Sequence, residues 1–262
     1  MSRITLTSGT DAEWFYPRLC IAHQSGTVTA SSTATGYSAA AITSPLTYTA
    51  WKGDSLPDTI EIDFGGNKTI SYVAMYIKDK GTSATVEPEY WNGSAWVSFG
   101  SSVSITKAGP YAWMKLTGVT ASKVRASVTG TTSPQFAFIG AGDALKFECG
   151  IPPGFAPASL NQDDEFTNVF SEGGQVLGSQ KLRSSAKQDI SVDAVTPSWV
   201  ASNWPTARAL MNTNGMFFAF NPKDAPDELI YGMRGKNAPS ASYSSTQYMA
   251  LSFSIEGPEI EL

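Results

Sequence analysis

The chain has 262 residues, 16% of them charged, and a net charge of −5; it can hold one large or two medium domains with an ample core. Charged residues fall well below the usual ~25%, and Ser, Thr, Gly and Ala fill the gap, which suits β-sandwiches with uncharged polar surfaces and does not suit helical bundles. Residues 1–150 hold 11 Lys+Arg and 11 Asp+Glu, and residues 151–262 hold 7 and 12; neither half has the basic stripe that nucleic-acid binding needs.

The opening MSRITLTSGT lacks the apolar core of a signal peptide. No run approaches the ~18 apolar residues of a spanning helix, so a soluble product of the cytoplasm without membrane insertion is expected. Residues Thr59 to Phe64 alternate, with Ile60, Ile62 and Phe64 inward, and Gly65-Gly66-Asn67 is expected to turn the chain. Ile70 to Ile77 is apolar on both faces and reads as a central strand. In Glu87 to Phe99, EPEYWNGSAWVSF, Asn-Gly sits between residues of strand preference, the strongest short-range hairpin signal. The loop is either Asn92-Gly93 or Asn92 to Ala95. Both registers put Trp91 and Trp96 on one face and Tyr90 with Val97 on the other. Further short strands follow at Val103 and Ile105, at Val124 to Val128, at Phe136 to Ile139 and at Leu145 to Phe147. Their spacing predicts an antiparallel sandwich.

Three prolines and two glycines between Cys149 and Pro157 mark a linker, dividing the chain into domains 1–150 and 151–262. In the second half, Thr196-Pro197 is a helix start. Pro205 is expected to restart a second helix that runs to Asn212 and ends at Gly215. Met216 to Phe220, Glu228 to Gly232 and Tyr248 to Ile255 read as strands, giving a β-sandwich with a short helix packed on it. The fold class expected for the whole chain is therefore all-β, mainly antiparallel.

Catalytic signals are few. The single histidine, His23, lies in a Ser/Thr-rich stretch and reads as a surface or loop residue. No G-x-S-x-G elbow exists, and Gly65-Gly66-Asn67-Lys68-Thr69 lacks P-loop spacing. Asp163-Asp164-Glu165 reads as a solvated acidic turn, not a calcium site. Glu87 and Glu89 share a strand face with Trp91; paired carboxylates beside an aromatic describe a glycosidase cleft or merely neighbours on an exposed strand, and the second reading is preferred. The two cysteines, Cys20 and Cys149, are expected as reduced, buried thiols. No enzyme activity, metal or cofactor is expected. Five of the seven tryptophans, Trp14, Trp51, Trp91, Trp96 and Trp113, fall in the first half, and one or two of them are expected to be exposed.

Over residues 35–148 the chain resembles the discoidin, or coagulation-factor type C, family of galactose-binding-like jelly rolls. Tyr48-Thr49-Ala50-Trp51-Lys52-Gly53 before Leu56 to Gly65, the hairpin Tyr90 to Trp96, and Val119 to Arg125 carry the resemblance in order. It implies an N-terminal jelly-roll sandwich in which Trp51 and Trp96 pack inward, and host-glycan binding by loops at one end. Those loops are Ser31 to Ser44, Lys52 to Ser55 and Lys78 to Ser83. The candidate carbohydrate-binding residues are Trp91, Tyr37, Lys52, Asp54, Lys78 and Asp79.

Over residues 160–258 the chain resembles C-terminal regions of tail proteins from long-tailed bacteriophages. The residues are Gly173 to Gly178, Gln188 to Val192, Met216 to Pro222 and Tyr248 to Ile255. This resemblance implies a structural virion protein of the tail tip or baseplate, assembled in the host cytoplasm. It would form a homo-oligomeric ring with other phage tail proteins, its first domain facing outward as an adhesive or spacer. A carbohydrate-binding module whose main role is host-glycan recognition is the alternative.

Overall fold

The structure, a computed structural model, describes residues 2–7, 11–160 and 162–261. In chain order the strands are β1 (Ile4–Leu6), β2 (Arg18–His23), β3 (Thr27–Ala30), β4 (Asp58–Asp79), β5 (Ala84–Trp91), β6 (Trp96–Ser98), β7 (Val103–Ile105), β8 (Gly109–Gly130), β9 (Gln135–Lys146), β10 (Gln162–Phe170) and β11 (Val176–Val195). The α-helix α1 (Pro197–Met211) follows, then β12 (Met216–Ala219), β13 (Leu229–Arg234), β14 (Ser240–Tyr243) and β15 (Met249–Pro258). Strand pairing is antiparallel except for β1 on β8. The chain is all-β and mainly antiparallel, with a jelly-roll sandwich in its first half. None of the described helices is long and apolar enough to cross a membrane.

The alternating segment at 59–64 and the two-sided apolar run at 70–77 belong to one strand. β4 and β8 form a ribbon of 22 residues each, irregular in register between Asp63 and Lys68. Gly65-Gly66-Asn67 therefore makes a bulge, not the expected turn. Gly65 sits at φ +69°, a left-handed conformation that glycine adopts without steric cost, and the ribbon bends there without reversing. The bend folds one arm of the ribbon over the other. Ile60, Ile62, Val124, Ala126 and Val128 of the first arm meet Val73, Met75, Ile77, Tyr111 and Trp113 of the second, with Trp51 and Phe136, in one buried cluster. Burying side chains of this size contributes roughly 1.5–3 kcal/mol each.

The second arm is buried on its other face too, as its two-sided pattern predicts. Tyr72, Ala74, Tyr76, Ala112 and Met114 point away from the first core and pack with Phe138, Phe217 and Tyr231. The Phe138 and Tyr231 rings stack at 5.3 Å between centroids, and Tyr76 lies 5.1 Å from Tyr231. Both β12 and β13 come from the second half. Hydrogen bonding crosses residue 150 through β2, which pairs with β9 on one edge and β12 on the other. Strict alternation makes this possible: Cys20 faces the middle core, while Leu19 and Ile21 join a third core with Phe147, Phe218, Ile230 and the apolar faces of β11, β15 and α1.

α1 is one helix, not a pair. Thr196 caps it by accepting the Trp199 N–H at 3.3 Å, with Pro197 at its first turn. It runs unbroken past Pro205. That residue and Ala201, whose carbonyl finds no N–H on Pro205, both lie on the exposed side of the helix, where the break costs least. Val200, Trp204, Ala207 and Met211 make its buried face. Asp163-Asp164-Glu165 lies within β10, not in a turn; Asp164 pairs with Lys181 at 2.9 Å and Glu165 with Arg183 at 2.7 Å. Cys20 is buried and Cys149 half-buried, and both thiols are free.

Candidate ligand-binding site

Folding the β4–β8 ribbon brings four connections to one end of the sandwich. They are residues 31–57, 80–83, 106–108 and 131–134. Asp58, 2% exposed, organises the first: its carboxylate accepts the N–H groups of Ser32 at 3.1 Å and Thr59 at 2.8 Å, and the hydroxyls of Ser31 and Ser32. Gly53 lets that carboxylate approach, since a Cβ there would lie 2.1 Å from Asp58 Oδ2. Trp51 is fully buried and donates its Nε1–H to Ser32 O at 3.0 Å. Its backbone pairs with Phe136, which anchors the loop to β9.

This scaffold leaves an open cleft of about 570 Å³, whose lining includes Tyr37, Ser38, Tyr48, Lys78 and Gln135. Tyr48 is 72% exposed. Lys78 Nζ donates to the main-chain Tyr48 O at 2.8 Å, which ties that stretch of the loop to the end of β4. Asp79 stands behind, accepting from Gln135 Nε2 at 3.2 Å and from the Gly81 N–H at 3.0 Å. Two phenol rings, one ammonium, an amide and a carboxylate can stack on a flat apolar face and hydrogen-bond its hydroxyls.

The candidate residues separate into three groups. Tyr37 and Lys78 line the cleft, and Asp79 supports it through Gln135. Lys52 and Asp54 lie on the adjoining loop: Lys52 O accepts the Ala34 N–H at 2.9 Å, and the Asp54 N–H donates to Ser32 Oγ at 2.9 Å. Trp91 lies elsewhere. β5 starts beside the loop end at Ala84 and carries Trp91 seven residues away, roughly 23 Å at ~3.3 Å per residue. Tyr48 and Gln135 escaped the sequence reading as site residues. Tyr48 was visible only as part of the stretch leading to Trp51.

The hairpin loop is the four-residue one, with Asn92 Oδ1 accepting the N–H groups of Ser94 and Ala95, both at 2.9 Å. Trp91 pairs with Trp96 across the strands, edge to face at 5.6 Å. Trp96 does not pack inward. It is half-buried beneath Arg125, whose guanidinium lies 4.3 Å from its ring and donates to Glu89 Oε2 at 2.7 Å. This is a cross-strand ladder of ring, cation and carboxylate. Arg125→Ala removes both contacts and is expected to lower stability by about 1 kcal/mol, read as a shift in the urea midpoint. Trp14, Trp51 and Trp113 are buried.

His23 is not a loop residue. It ends β2 with both nitrogens engaged, Nε2 to Gly215 O at 2.7 Å and Nδ1 to the Tyr72 hydroxyl at 2.8 Å. The carbonyl must receive a proton, so Nε2 carries the hydrogen and Nδ1 accepts from Tyr72. Burial pushes its pKa down to about 4, so the ring is neutral at pH 7. The unfolded chain takes up this proton near pH ~6.5, before the folded one does. Stability from this site is therefore complete above that pH and is lost as pH falls toward 4. Between pH 7 and 5 the wild type should lose about 2 kcal/mol more than His23→Gln, measured by urea unfolding at each pH.

Among the described residues no cluster of three or more His, Cys, Asp or Glu could hold a metal ion. No protein-family model and no curated protein matches the chain. Solved structures do. A chitosan-binding module from a chitosanase/glucanase of Paenibacillus sp. IK-5 is 18% identical, over 45% of this chain and 98% of that one, with a TM-score of 0.39. The family 32 carbohydrate-binding module of NanJ from C. perfringens, in complex with galactose, is 14% identical over 47% and 98%, with a TM-score of 0.38. SpGH29 is 20% identical over 46% of this chain and only 27% of its own, with a TM-score of 0.40.

Proposed function

We propose that the protein binds carbohydrate, acts by recognition without turnover, and does so through the loop-end cleft of residues 1–150. The observation that carries this reading is the meeting of Tyr37, Tyr48, Lys78 and Gln135 around one open concavity, on a loop held rigid by Asp58. Rigid loops cost less to order on binding. Glu89 supports the non-catalytic reading, because Arg125 already occupies its carboxylate. A glycan array probed with the labelled full chain tests the proposal. Saturable binding to a defined set of glycans is expected; silence across host polysaccharides would end it.

A second reading is favoured by a separate observation, the hairpin of β10 and β11. Six large apolar side chains, Phe166, Val169, Phe170, Val176, Leu177 and Leu182, are 55–66% exposed there. Monomeric proteins rarely leave so much apolar area together. In this reading residues 151–262 assemble the chain with further copies of itself into a ring. The protein is then a structural component of a phage tail tip or baseplate, built in the host cytoplasm and carried in the virion, with the jelly roll as its outward adhesive or spacer. Sheet geometry supports self-assembly. β10, β11, β15 and β14 lie side by side, each antiparallel to the next. With four alternating strands, the β14 edge of a second copy placed against β10 continues the antiparallel pattern.

A further inference from the structure

A second concavity, of about 330 Å³, lies where the two halves of the chain meet. Its residues come from five stretches: the end of β2 and the connection to β3 (His23, Gln24, Ser25), residues 43–45, Ile62, Phe138-Ile139 and the turn after α1 (Thr213, Asn214, Gly215). It shares no residue with the loop-end cleft. Its floor is apolar, formed by Ile62, Phe138, Ile139 and Pro45, and its rim is polar. None of the twelve lining residues is an acid, lysine or arginine, and loss of water around His23 keeps its ring neutral at pH 7 against the pull of the Gly215 carbonyl.

The rim groups differ in how they are occupied. Asn214 Nδ2 is spent on Ile21 O at 3.0 Å and Thr43 Oγ1 on Ala40 O at 3.0 Å. The Gln24 amide and the Ser25 hydroxyl have no partner among the described residues. Yet Gln24 is fixed in place by its backbone, which donates to Ala141 O at 2.8 Å. An ion entering here would lose water and meet no opposite charge. An uncharged ligand with an apolar face and several hydroxyl or amide groups would cover the floor and satisfy Gln24 and Ser25. The volume is at the small end of ligand sites, which suits one ring and not a chain.

We propose that this junction cleft binds a single uncharged hexose unit, with Gln24 and Ser25 as its hydrogen-bonding residues. The claim is independent of glycan binding at the loop end. The test titrates the full chain with glucose, galactose and N-acetylglucosamine by calorimetry, with glucuronate as the charged control. At least one neutral sugar should bind saturably. Gln24→Leu with Ser25→Ala should weaken it at least about tenfold, the loss expected for two polar contacts, while Tyr37→Ala with Tyr48→Ala leaves it unchanged. Far-ultraviolet circular dichroism and the urea midpoint confirm that both variants fold. The proposal is overturned if no neutral sugar binds, if glucuronate binds equally well, or if the tyrosine variant abolishes binding and the Gln24/Ser25 variant does not.

Discussion

Replacing Tyr37 and Tyr48 together by alanine is expected to weaken glycan binding at least about a hundredfold, roughly 2.7 kcal/mol, and to leave folding intact. Both rings stand on the cleft wall, and Tyr48 is 72% exposed. Deleting side chains of this kind at the surface changes stability by about 0.5 kcal/mol or less. Their worth to a ligand is larger, because each offers a broad, stiff, amphipathic face at little entropic loss. Lys78→Met should weaken binding further without moving the urea midpoint. Trp91→Ala is the control: from the sequence it is the leading sugar platform, and from its place on the far end of β5 it should leave affinity unchanged. Affinities of the three variants for one array-identified glycan, measured by calorimetry, decide the matter. A loss of binding in Trp91→Ala with retention in the tyrosine double variant would relocate the site to the β5–β6 hairpin.

The second large effect concerns association. Phe166 and Phe170 lie on the β10 face that continues from Gln162, opposite the buried Ala186 of β11, and Val176 pairs directly with Phe170. This face is the extension of the one that covers the third core through Ile190 and Val192, but its large apolar side chains stay more than half exposed among the described residues. Burying these three side chains against a neighbour would contribute about 1–2 kcal/mol each per copy. The wild type should therefore elute as an oligomer by size exclusion with light scattering. Phe166→Ser, Phe170→Ser and Val176→Ser combined should give the mass of one chain, with an unchanged circular dichroism spectrum. A wild type that stays monomeric at high concentration removes the ring reading and leaves the glycan proposal standing.

Strands were legible where one period ruled. The alternation of Ile60, Ile62 and Phe64, and of Leu251, Phe253 and Ile255, predicts buried faces that the structure has. The two-sided run at 70–77 predicts a central strand, and it lies between two cores. The Asn92-Gly93 hairpin followed from the positive φ that the turn requires, and Gly93 sits at φ +101°. The errors have a common origin. Gly65-Gly66-Asn67 and Pro205 carry the local signal of a break, yet tertiary pairing held one strand through the first and one helix through the second. His23 sits in a stretch that reads as a loop; long-range contacts with Tyr72 and Gly215 made it a half-buried, neutral strand end.

By itself the amino-acid sequence determined the fold class, the position of most strands and the helix start at Thr196-Pro197. Each of these follows from residues within about ten positions of one another, where side-chain period and backbone φ preferences act. Only the tertiary structure decided which residues share a cleft. Lys78 reaches the carbonyl of Tyr48 across thirty positions, Gln135 reaches Asp79 across fifty-six, and β2 joins β12 across nearly two hundred. Such meetings depend on how the β4–β8 ribbon folds over and how β2 enters the sheet, and no local pattern encodes that choice.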